Sequence, residues 1–141
     1  MADLLDHIKQ AKHNQGFAEQ LDRDQGLRHW DWLITIAFYS AIHYVEAFFV
    51  TTFIGHTEKA CRNENQHSFR QQTVRTLLGH NCWKSYRKLQ DASYYVRYLA
   101  HAISKQKPGI AVTYYSRRDA SDMLKLELKN IREAVEAELA K

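Results

Sequence analysis

The sequence predicts an all-α protein, an up-and-down bundle of four to five helices. Three observations predict it. The 141 residues include one proline and five glycines, too few for the many tight turns of a β-sandwich. Apolar residues recur at spacings of three and four in several long segments. One of these, about Leu27 to Phe53, is apolar nearly all round, the pattern of a helix buried on both sides. At 45% hydrophobic and 26% charged residues, the chain reads as one globular domain over 1–141. Collagen-like, low-complexity and disulfide-scaffold classes are excluded.

The first helix is expected from about Ala2 to Arg23, on a weak stripe of Leu4, Ile8, Ala11, Ala18 and Leu21 interrupted by Gly16. The second, about Leu27 to Phe53, places Trp30, Ile34, Ala37, Phe38, Ala41, Val45 and Phe48 on one face. Trp32, Ile36, Tyr39, His43 and Val50 fall opposite, so this helix is either the centre of the bundle or the seam of a dimer. Ile54 to Gln66 is polar and nonperiodic, and reads as a loop. A third helix runs from about His67 to Leu78, stopped by Gly79.

The fourth is expected from about Asn81 to Ser104, with a core seam of Tyr86, Leu89, Ser93, Val96, Ala100 and Ile103. Its other side, with Arg87, Tyr94, Arg97, Tyr98 and His101, is basic and aromatic. Lys105 to Tyr115 is a connection holding Pro108, and Ile110–Tyr115 reads as a short extended piece. Ser116 and Asp119 suit the start of a last helix. That helix runs to about Leu139, with Leu124, Leu128, Ile131 and Val135 facing inward. Arg117 and Arg118 read as a solvated helix start, and His56 and His80 as surface residues.

Compartment and partners follow from composition. Cys61 and Cys82 read as reduced thiols rather than a framework. The N-terminus lacks a basic segment followed by an apolar core, so no signal peptide is expected. Asp31, Thr35, His43 and Glu46 interrupt the longest apolar stretch, so no membrane span is expected either. Together these predict a cytoplasmic protein. A net charge of +4, from 20 Lys and Arg against 16 Asp and Glu, favours a polyanionic partner without establishing one.

Catalytic motifs are sparse. There is no glycine-rich phosphate loop, no Gly-x-Ser-x-Gly, no Cys-x-x-Cys and no His-Glu-x-x-His. A di-metal bundle site wants two Glu-x-x-His pairs and further carboxylates. Glu64–His67 gives one pair and His43–Glu46 only the reversed order, so no metal and no cofactor are predicted. His43 reads as a hydrogen-bonded histidine in an aromatic environment.

One constellation fits a metal-free chemistry. Cleaving RNA through its own 2′-hydroxyl needs a proton acceptor, a proton donor and positive charge on the phosphorane. Arg62 and His67 lie five apart around the start of the third helix, where phosphate is attracted, and Arg70 follows. Arg75–His80 and Arg23–His29 match the same loose spacing, so the pattern alone is weak.

The run Trp32-Leu-Ile-Thr-Ile-Ala-Phe-Tyr-Ser-Ala-Ile-His-Tyr-Val-Glu-Ala-Phe resembles the central helix of the HEPN superfamily of small helical bundles. His67-Ser-Phe-Arg70, Tyr86-Arg-Lys-Leu89 and Ser93-Tyr-Tyr-Val-Arg97-Tyr98 follow in the same order, so the likeness covers roughly Leu27 to Tyr98. Active members are metal-independent ribonucleases, with an Arg-x(4–6)-His motif at the meeting of two copies. Arg62-Asn63 and His67 match that motif, although Arg62 falls in a loop where the family usually has helix.

The resemblance implies a homodimeric RNA-binding protein, with endoribonuclease activity of the defence or toxin–antitoxin type as its catalytic form. In that form His67 acts as acid or base, Arg62 and Arg70 stabilise phosphate charge, and His43, Tyr39 and Arg97 orient them. Binding residues are expected at Tyr39, His43, Glu46, Tyr94, Arg97, Tyr98 and His101. The alternative is a non-catalytic module that binds a nucleotide or a partner protein such as a nucleotidyltransferase. A dimeric scaffold without ligand is the third reading.

Overall fold

Asp3 opens the first helix because its carboxylate accepts from the Asp6 amide at 2.9 Å, while Asp6 accepts from the Asp3 amide at 3.1 Å. The computed structural model describes residues 2–62, 65–98 and 115–141, and this reciprocal cap begins α1, Leu4–Arg23. Among the described residues the architecture is all-helical, without strands. A single hydrophobic cluster joins the helices.

Helix α1 buries only Ala11 and Ala18 completely. Such small side chains let it lie close against α2, Trp30–Phe49. Two hydrogen bonds fix the approach: Ser40 donates to the Ala11 carbonyl at 2.8 Å, and the Tyr44 hydroxyl to Gln15 at 2.6 Å.

Helix α2 is the central element, but shorter than its apolar run. At its C-terminal end the hydroxyls of Thr51 and Thr52 take the carbonyls of Phe48 and Phe49, both at 2.7 Å. Local side-chain bonds of this kind compete with helical continuation. Gly55, at φ 69°, then returns its amide to the Phe49 carbonyl. The expected face of α2 is buried at Ile34, Ala37, Phe38, Ala41 and Val45, all 0% exposed, while Trp30 is half-buried and Leu33 joins the core beside it. Each large side chain among these contributes about 1.5–3 kcal/mol of transfer free energy. The opposite face is not sealed: Trp32 is 58% exposed, Tyr39 lies at the surface, and Ile36 and His43 are half-buried. By length and composition α2 could cross a membrane, but most of it is buried against its neighbours.

The segment expected as a loop contains one short turn of helix, α3, Thr57–Ala60. Helix α4, Gln66–Leu78, starts where Asn65 caps the amides of His67 and Ser68 and ends at Gly79, φ 89°. Helix α5 spans His80–Tyr98 and buries Tyr86, Leu89, Ala92 and Ser93. The expected seam residues Ala100 and Ile103, and the extended piece before Tyr115, lie outside the described residues.

The last helix, α6, covers 117–139. It consists of Arg117–Asp122, a π-helical stretch Met123–Leu128, and Lys129–Leu139. Ser116 and Asp119 cap it reciprocally, as the sequence suggested. Leu124, Leu128, Ile131 and Val135 face the core. Cys61 and Cys82 are buried and do not form a bridge, and burial pushes the Cys82 thiol up to about 12.

Candidate functional site

Tyr39, His43 and Glu46 follow one another at i, i+4 and i+7 on α2 and therefore share a face. The first turn and a half of α4 brings His67 and Arg70 toward that face, and α5 supplies Tyr86 and Arg97. The result is a polar seam, buried at one end and open at the other.

Its buried end is ionic. Arg70 donates from Nε to Glu46 Oε1 at 2.8 Å, with each side chain only 8% exposed. The second Glu46 oxygen accepts a long bond from the Thr57 amide at 3.4 Å, which ties α3 to α2. The Tyr86 side chain is fully buried beside the guanidinium, and burial holds its phenol above the ordinary tyrosine range. Arg70, expected to stabilise phosphate charge, is thus placed in the interior and neutralised by Glu46. The spacing of Glu46 and Arg70 gave no signal that they pair.

A histidine cluster flanks this pair. His7 of α1 and His43 share a hydrogen bond between their Nδ1 atoms at 3.1 Å, so one donates and the other accepts. The His56 ring lies 6.1 Å from that of His7. Burial is the main cause that lowers the pKa of both His7 and His43, and for His43 the neighbouring His7 lowers it further. His7 was missed in the sequence, although it lies between Leu4 and Ala11 on the inward stripe of α1. Among the described residues, no group of three or more His, Cys, Asp or Glu side chains is placed to hold a metal ion.

The open end is cationic and aromatic. His67 is half-buried on the Phe38 ring at 6.0 Å, and its Nδ1 is buried without a hydrogen-bond partner. Burial lowers its pKa, and the charges of Arg70 and Arg97 lower it further, so the imidazole is neutral at pH 7. Arg97 is anchored by its Nε on the Ser93 carbonyl at 3.2 Å and by Nη1 on the Tyr39 hydroxyl at 3.3 Å. Its guanidinium lies 5.7 Å from the Tyr39 ring and 5.2 Å from the Tyr98 ring, within cation–π range. Tyr94 and Tyr98 are 50% and 61% exposed, with rings 5.1 Å apart.

The remaining expected residues are placed as follows. Arg62 is exposed, in the segment between α3 and α4 rather than on a helix. Asn63, Glu64 and His101 lie outside the described residues. Arg117, expected as a solvated helix start, instead reaches the turn between α1 and α2. It donates to the carbonyls of Asp22 at 3.0 Å, Leu27 at 3.3 Å, and also Asp24. His80 is exposed as expected, against the ring of Trp83, whereas His56 is half-buried.

Fold and site together define an all-helical protein with a buried ion pair beneath a cationic, tyrosine-rich face. The chain has no significant match to a protein-family model, a curated protein or a solved structure.

Proposed function

We propose that this chain is a HEPN-like RNA-binding module, and that RNA lies on the face formed by Tyr39, His67, Tyr94, Arg97 and Tyr98. The observation that carries the reading is Arg97. Its guanidinium is fixed by the Ser93 carbonyl and the Tyr39 hydroxyl, the exposed rings of Tyr39 and Tyr98 lie against it, and exposed Tyr94 packs on Tyr98. A guanidinium held in place loses less freedom on meeting a phosphate. Neighbouring phenol rings offer stacking surface to unpaired bases, at about 1–3 kcal/mol per base. The order of the Tyr39–Glu46, His67–Arg70 and Ser93–Tyr98 segments supports the HEPN likeness, because the bundle brings all three together.

The state of His67 favours a second, catalytic reading. An imidazole kept neutral by burial and two nearby guanidinium charges can accept a proton from a 2′-hydroxyl at neutral pH. In this reading Arg97 supplies positive charge, and Arg62 contributes from the exposed segment before α4. The unsealed face of α2 around Trp32 and Ile36 is the seam for a second copy.

RNA cleavage in EDTA and RNA binding, each measured on wild type, His67→Ala and Arg97→Ala, test both readings. Binding weakened about tenfold by Arg97→Ala supports the module. Metal-free cleavage abolished by His67→Ala without loss of binding supports the nuclease. Wild type that binds no RNA overturns both readings and leaves the nucleotide or partner-protein alternative.

A further inference from the structure

We infer that Arg75, Trp83 and Arg87 form a second phosphate anchor, which extends the proposed RNA face along α5 into a track for single-stranded RNA. The inference rests on that face binding RNA. Its own evidence lies at the opposite end of the helix.

The Arg75 guanidinium, from the last turn of α4, lies 4.8 Å from the Trp83 ring centre, and that of Arg87 lies 5.5 Å away. One indole therefore carries two guanidinium groups within cation–π range, and their N–H groups can meet a phosphate at the ring. Nearby acids do little to neutralise them. Asp91 meets Arg87 only at 3.7 Å, with both side chains exposed, and such pairs contribute little. Glu127 is engaged by Lys88 at 3.7 Å. Beside the anchor an apolar groove of about 380 Å³ runs between α5 and the start of α6. Trp83, Tyr115 and Met123 line it together with Lys84, Arg87, Lys88 and the single acid Asp91. A mainly apolar lining with three cations against one carboxylate suits a base and its phosphate.

The two ends belong to one stripe. At about 100° per residue, Trp83, Arg87, Tyr94, Arg97 and Tyr98 fall within roughly 100° of arc on α5. From Trp83 to Tyr98 the helix rises about 22 Å. At about 3.4 Å per stacked nucleotide this corresponds to roughly six nucleotides of one strand. A single strand is favoured over a duplex because rings and groove can engage only bases that are not already paired.

The test uses fluorescein-labelled oligouridylates of four and twelve residues, followed by anisotropy across a salt series. Arg87 is exposed, so Arg87→Ala is expected to fold, which circular dichroism checks. Arg97→Ala should weaken both RNAs. Arg87→Ala should weaken the twelve-mer about tenfold, leave the four-mer within about twofold, and reduce the salt slope by about 0.7. Asp91→Asn should tighten the twelve-mer, since it removes the acid beside Arg87. A twelve-base-pair duplex should compete at least about tenfold less well. If Arg87→Ala leaves the twelve-mer unchanged while Arg97→Ala weakens it, the anchor is refuted and the face stands. Equal loss on both lengths, or equal competition by the duplex, overturns the track. If wild type binds neither RNA, the face is refuted and the anchor with it.

Discussion

Replacing Glu46 with alanine removes the carboxylate bonded to Arg70 and leaves a guanidinium that is 7% exposed facing Tyr86. Removing one partner of a buried pair typically costs about 3–5 kcal/mol, because the remaining charge is left without compensation. The paired substitution Glu46→Leu with Arg70→Met removes both charges and keeps most of the volume, so it should cost no more than about 1–2 kcal/mol. For an m value of about 2 kcal/mol/M, Glu46→Ala lowers the urea midpoint by about 2 M. The assay is equilibrium unfolding of wild type, Glu46→Ala, the two singles Glu46→Leu and Arg70→Met and their double variant, followed by far-ultraviolet circular dichroism. A single variant costing under about 1 kcal/mol would refute the reasoning. So would a double variant as unstable as the sum of the two singles, since the sites would then be uncoupled.

Other predictions are more local. Arg117→Ala frees the carbonyls of Asp22, Asp24 and Leu27 from their shared donor; it should cost about 1–3 kcal/mol and speed amide exchange around residues 24–29. Gly79→Ala meets no atom within 4 Å of the added carbon, so its expected loss of about 1–2 kcal/mol comes from φ 89° alone, and a thermal melt checks it. The His7–His43 pair has folded pKa values below the ordinary 6.5. The unfolded chain therefore binds more protons below that pH, so stability is intact above about 6.5 and declines as pH falls through the folded values. His43→Gln should flatten that decline in a pH series of unfolding midpoints, and an unchanged slope would exclude the pair as its source. In the catalytic reading, the rate should rise with pH below 6.5 and level off by neutrality, because His67 must be neutral to accept a proton.

How much was readable in advance varied with the kind of interaction. Periodicity found the helices, because burying a stripe is a property of one segment at a time: Leu124, Leu128, Ile131 and Val135 all face inward. Caps were equally local, so Ser116, Asp119 and Gly79 behave as expected. The end of α2 was overestimated, since two threonine hydroxyls outcompete helical hydrogen bonding where the apolar pattern continues to Phe53. Long-range polar partners were not readable. Arg70 and Glu46 are 24 residues apart, His7 and His43 are 36, and Arg117 reaches carbonyls some 90 residues away. Each was read as a ligand candidate, a surface group or not at all, because spacing along one helix says nothing of what another helix brings against it. Tyr39 and Arg97 were singled out from their own helices, and the fold shows them in contact.

The π-helical stretch Met123–Leu128 gives the chain a place to change length. A π turn holds one more residue than the α turn it replaces, and the core positions on either side, Ala120 before it and Ile131 and Val135 after it, are already 0% exposed. Elsewhere in α6, losing a residue would rotate everything beyond it by about 100° and turn Ile131 and Val135 away from the core. Within this stretch the same loss converts the wide turn to an ordinary one. Lys125 is exposed and meets Asp22 at 3.5 Å. Deleting it removes a surface charge and leaves both ends of the helix in register, so length variants of this protein are most readily accommodated here.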